Sequence, residues 1–209
     1  MLDIPYEKNR GESCALSCYT MTARYFFSES TFEQIAEISD WKQGYAVWGF
    51  KFWLWIMDKG IKITEYDLID LLSWSENGIE GLKNSISKKE YNFIVEHTYN
   101  IDSYSDDIKK VLTHPNFTFK KQRPNWEDLV SAFNDGAVCE VVLDSVTLDK
   151  KENDFSLHRI VVLDITNKYI IFHDPRTKKS MPKRKEKIEL FKKAWLEKLQ
   201  GPELCIYQK

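Results

Sequence analysis

Three residues carry the chemistry that can be read in this sequence: Cys14 near its start, and His158 and Asp174 near its end. A cysteine attacks a carbonyl as its thiolate, which needs a base within hydrogen-bond reach and a third group to orient that base. Residues 160–165 are apolar apart from Asp164, as in a strand buried on both faces. Asn167 and Lys168 supply a turn and residues 169–172 return as a second strand, so residues 155–176 read as a β-hairpin. His158 opens the first strand and Asp174 closes the second. The hairpin therefore brings an imidazole and a carboxylate to one end, as a carboxylate must be placed to fix the tautomer of a histidine base.

The elements that position the cysteine are also legible. From Cys14 onward, Leu16, Tyr19, Met21, Ala23 and Phe26 interleave with small polar residues as in a buried helix, and Ser13 can serve as its N-cap. Cys14 then stands in the first turn, where backbone N–H groups and the helix dipole favour a thiolate. Cys18 lies one turn further on the same face and reads as core, with a fallback role as nucleophile; Cys139 and Cys205 sit inside strands and read as core. Strand alternation points His173 away from Asp174, toward an exposed or structural role, while His97 and His114 carry no signal. Trp48, Trp53 and Trp55 are core or cleft-lining.

Between these ends, Thr31 and Gln34 have capping-box spacing, and an aromatic helix over residues 48–57 stops at Gly60. A strand over 61–66 follows. Residues 67–72, 79–86, 88–98 and 102–112 read as short helical pieces and 115–119 as an extended one, together a helical insertion at about 67–125. Asn125 caps a helix through Phe133, and residues 138–143 form a strand ahead of the hairpin. A broken basic loop from Pro182 leads into an amphipathic helix with Ile188, Phe191 and Trp195, and residues 204–207 make a closing strand. The expected class is α+β in a single domain, with an α-rich N-terminal part packed on a C-terminal antiparallel sheet.

Composition narrows the function. The chain has 209 residues, 43% apolar, enough for one well-filled core. Its 30 Lys and Arg against 32 Asp and Glu leave no basic excess of the kind a nucleic-acid binder shows; the basic run at residues 178–187 reads as a solvated face. No apolar segment is long enough to cross a bilayer, and the start lacks a signal-peptide pattern. Four cysteines without a CxxC pair point to free thiols in a reducing, cytoplasmic setting rather than to disulfides or zinc.

A cysteine at a helix start with a late histidine and an Asp-Pro step is the layout of papain-like cysteine hydrolases, and the sequence resembles one family of them. These are the bacteriocin-processing, double-glycine leader peptidases and their stand-alone relatives. The matching residues are Ile4-Pro5-Tyr6 as the extended lead-in, Cys14, His158 and Asp174-Pro175, with the helix-Gly-strand unit before the histidine and the Phe191 to Trp195 helix near the end. Ala15 stands where the family has glycine, Asn9 stands near the family's glutamine, and roughly residues 60–123 are unmatched. The resemblance implies a papain-like fold, Cys14 as nucleophile, His158 as base and Asp174 as orienting acid. Asn9 and the Cys14 N–H would serve as oxyanion donors, on a peptide or small amide substrate, without metal or organic cofactor. Two alternatives stay open: acyl transfer by the same triad, as in phytochelatin synthase and the arylamine acetyltransferases, and an inactive peptide-binding relative.

Overall fold

The computed structural model describes residues 1–11, 13–151, 156–176 and 181–209. Phe155 of the expected hairpin, Glu12 and residues 178–180 of the basic run lie outside the described residues.

Helix α1 (Cys14–Phe26) begins where Ser13 accepts the Leu16 N–H, as its type and position predict. It buries Leu16, Cys18, Tyr19, Met21 and Ala23 completely or nearly so. Full burial of a large apolar side chain is worth roughly 1.5–3 kcal/mol, so this face anchors the helix on the sheet. Helices α2 (Phe32–Ile38) and α3 (Phe50–Asp58) pack beside it. Thr31 caps α2 through the Gln34 N–H, and Gly60, at φ +89°, follows the end of α3 in a conformation that favours glycine.

The sheet has seven strands in the order β2-β1-β7-β3-β4-β5-β6. They are β1 (Lys62–Tyr66), β2 (Phe117–Lys120), β3 (Val138–Asp144), β4 (Leu157–Ile165), β5 (Tyr169–Asp174), β6 (Met181–Lys187) and β7 (Glu203–Gln208). The last strand therefore lies in the middle, between β1 and β3. The α+β class holds, but the sheet is mixed rather than antiparallel: β2 runs parallel to β1, while the other pairs are antiparallel. Parallel neighbours need a long crossover, and the expected helical insertion is that crossover. It contains α4 (Leu71–Asn77), α5 (Ile79–Lys83), α6 (Lys88–His97) and α7 (Ser105–Thr113). Trp74, Leu82, Ile108 and Val111 from it are fully buried in the same core as α1 and α3. Only α6 buries none of its residues.

Strand β6 occupies part of the expected basic loop. Its exposed lysines and Pro182 suit a sheet edge, where Lys and Pro discourage further pairing, while Arg184 turns inward. Capped by Asn125 and Asp128 in a reciprocal box, α8 (Trp126–Asn134) precedes β3. On β3, α9 (Ser145–Leu148) follows directly, and α10 (Ile188–Lys192) passes into a π-turn over Lys193–Glu197. No helix among the described residues is long and apolar enough to cross a membrane.

The crossover is tied down at one close approach. A Cβ on Gly81 of α5 would stand 2.1 Å from the Ser73 carbonyl oxygen of α4. Gly81→Ala should cost about 1–3 kcal/mol by overpacking, read as a lower midpoint of urea unfolding. An unchanged midpoint would show that the two helices part freely.

Candidate active site

The N-terminal lead-in is pinned before the site begins. Leu2 N–H donates to the Leu163 carbonyl at 2.8 Å, and Tyr6 Oη donates to the Asp174 carbonyl at 3.1 Å. His173 is buried, which decides for the second of the two expected roles, exposed or structural. Its Nδ1 accepts the Lys183 N–H at 3.2 Å, so its Nε2–H donates to the Ile4 carbonyl at 2.8 Å. The residue is structural, holding the lead-in on β5. Glu7 is buried and pairs with Arg24 of α1 at 2.8 Å. The chain then turns around Asn9, whose Oδ1 accepts the Gly11 and Ser13 N–H groups at 2.9 and 3.1 Å, and delivers Cys14 to the first turn of α1.

His158 and Asp174 meet as the hairpin predicts: His158 Nε2 lies 2.7 Å from Asp174 Oδ1, both side chains buried. Because Asp174 takes Nε2, Nδ1 is the nitrogen left to face the sulfur of Cys14, with which His158 interacts electrostatically. Cys14 is half-buried, and its Sγ also accepts the Arg159 N–H at 3.5 Å. Burial alone would raise the Cys14 thiol; the hydrogen bond and charge of His158, with the Arg159 N–H, outweigh it and lower the pKa. Burial alone would lower His158; its hydrogen bonds to Asp174 and Cys14 outweigh that and raise it to about 9. Each group thus favours the charged form of the other. Burial would likewise raise Asp174, but His158, Arg176 and Arg184 hold it below the usual carboxylate range.

Those two arginines carried no signal in the sequence. Arg184 Nη1 lies 2.9 Å and Arg176 Nε 3.0 Å from Asp174 Oδ2, and both arginines also pair with Asp149. Arg176 comes just after Asp174 and Arg184 from β6, so the β5–β6 register places them. Cys18, Cys139 and Cys205 are buried, and burial keeps each thiol well above its ordinary range. They are core, as expected, and Cys14 is the only described cysteine with a lowered pKa. His97 and His114 take no part in the triad.

Comparison of the chain with protein-family models, with curated proteins and with solved structures returns no match. The site must therefore be read on its own geometry. Cys14, His158 and Asn9 line one cavity of about 710 Å³, walled by Trp48, Ile69 and Ile94 among others. Of the three tryptophans left open between core and cleft, Trp48 is thus cleft-lining and Trp53 is core. Asn9 Oδ1 is committed to the loop, which leaves its Nδ2 as the donor. The Cys14 N–H, in the first helical turn, has no partner within the helix. The same cavity is lined by Arg159, Asp67 and Glu203, which the sequence reading did not single out. Their signal was out of reach: Asp67 and Glu203 meet only because β1 pairs with β7.

Two outcomes follow. Iodoacetamide should alkylate Cys14 at a thiolate-like rate well below the ordinary thiol range, with a second inflection near pH 9 as His158 loses its proton. His158→Ala should leave one titration at or above the ordinary thiol range, about 8.5; identical profiles in both proteins would rule out the ion pair. Asp174→Asn takes one of their carboxylates from Arg176 and Arg184, which keep Asp149, and loss of one partner from a buried pair costs up to about 3–5 kcal/mol. That variant should unfold at lower denaturant and move the alkaline inflection below 9; an inflection that stays put would mean Asp174 does not set the imidazole.

Proposed function

We propose that the protein is a papain-like cysteine hydrolase that cleaves a peptide or small amide bond. The observation that supports this most directly is His158 held between the Cys14 sulfur and the buried Asp174 carboxylate, at the edge of a cavity large enough for a substrate segment. In this reading the Cys14 thiolate attacks the carbonyl carbon, and the C–N bond breaks as imidazolium His158 gives its proton to the leaving amine. Water then adds to the thioester with His158 as general base, releasing the acid and restoring the thiolate. Asp174 keeps the imidazole oriented throughout. Asn9 Nδ2 and the Cys14 N–H receive the oxyanion.

The layout of lead-in, N-terminal helix and late hairpin also fits the leader-peptidase resemblance, and the free state of all four cysteines fits a reducing, cytoplasmic location. The test is turnover of a peptide-amide library by the native chain. Cys14→Ala should abolish it. Loss of one oxyanion donor typically costs about 10²–10³ in kcat, so Asn9→Ala should fall by that factor with little change in KM. Turnover that survives in Cys14→Ala would overturn the reading.

A further inference from the structure

Beside the cavity floor lies a carboxyl cluster that the proposed chemistry does not use. Glu65 of β1, Asp67 just after it and Glu203 of β7 bring carboxylate oxygens within 4.8 Å of one another. The cation that reaches them is Arg159, which donates to Glu203 at 2.5 Å and to Glu140 at 3.3 Å. Glu203 and Glu140 thus share one guanidinium, and among the described residues no ion pair reaches Glu65 or Asp67. Lys120, on the neighbouring strand, gives its Nζ to the Tyr66 hydroxyl instead. Asp67 Oδ1 accepts the Ile69 N–H, but Glu65 Oε2 is buried with no hydrogen-bond partner, in a side chain only 2% exposed. A buried carboxylate oxygen left so is costly unless a proton or a cation neutralises it. Burial accordingly pushes Glu65 and Asp67 well above the usual carboxylate range.

Asp67 and Glu203 face the same cavity as Cys14, and Val47, Trp48, Leu68, Ile86 and Ile94 give that cavity apolar walls. The arginines that line it, Arg159 and Arg176, are both engaged by carboxylates. Such a cavity repels an anionic group and suits a hydrocarbon stem carrying a positive head. We infer that Asp67 and Glu203, backed by the buried Glu65 carboxyl with its unpartnered Oε2, form a cation subsite of the cleft, which selects a substrate bearing an ammonium or guanidinium group on an apolar stem. A lysine or arginine side chain and a free alkylamine share this chemistry. The assignment of that group to a substrate rests on the hydrolase reading; the binding itself does not.

The experiment compares two ladders of chloroacetamides on Cys14, one with a terminal ammonium on alkyl chains of increasing length and one with uncharged chains of matched length. One ammonium reagent should react saturably and about tenfold faster than its uncharged twin, a factor in keeping with one charged hydrogen bond. Because the readout is a ratio within each protein, it is corrected for the intrinsic reactivity of Cys14. Asp67→Asn should bring the ratio toward one, and agmatine should compete in the native chain. Equal rates at every length, with Cys14 reactive, would overturn the subsite and leave the hydrolase reading standing. A Cys14 inert to every reagent would count against the hydrolase reading instead, and calorimetric titration with agmatine would then decide the subsite, absence of binding overturning it. Ca²⁺ or Mn²⁺ that binds the native chain and displaces agmatine would assign the carboxylates to a metal and overturn the proposal as stated.

Discussion

A carboxylate sealed from water has to be met by positive charge, and Asp174, with no exposed surface, is where this fold meets that demand. Three cations surround it: His158, Arg176 and Arg184. Asp149 takes part of the charge of both arginines. Arg184 also pairs with Glu186 at 2.8 Å, so His158, Arg176 and Arg184 meet three carboxylates, those of Asp149, Asp174 and Glu186. The β5–β6 edge, which looks peripheral, is part of the site because it supplies Arg184.

The residue after His158 has a separate task. Arg159 offers its N–H to Cys14 and its carbonyl to the Cys18 thiol, and so fixes the start of α1 against β4 from the backbone alone. Its side chain runs over the Tyr19 ring, 5.7 Å to the centroid, to Glu140 and Glu203. Thr22 reaches Glu140 from the other end of the helix at 2.6 Å. A polar seam therefore lies between α1 and the sheet, inside an otherwise apolar contact. Burial lifts Glu140 to about 6 even with Arg159 beside it. The seam sets the rotation of α1 more sharply than apolar packing does, since each polar atom accepts few positions.

What could be read from the sequence was what local pattern encodes. The hairpin declared itself by an apolar run, a turn and a return, and its two ends carried His158 and Asp174. Ser13 and Asn125 marked two helix starts because a short polar side chain ahead of an apolar period has one common use. The parts that escaped are set by pairings distant in the chain. Strand β2 reads as a weak extended piece and becomes a strand only beside β1. β6 has the composition of a loop because an edge strand is meant to look soluble. Arg176, Arg184, Asp67 and Glu203 have no local signature; their partners are chosen by strand register. The face of β5 that carries His173 is covered by the lead-in, and alternation cannot tell a solvated face from one capped by distant residues.

The position of β7 has a consequence for how the sheet assembles. It is the central plank, with β2 and β1 on one flank and β3 to β6 on the other. Both of its pairings join segments far apart in sequence, and such non-local pairings are the slow ones to form. The flank that carries His158 and Asp174 and the flank that carries Asp67 are therefore held together through one strand, so whatever unseats β7 separates the two sides of the cavity.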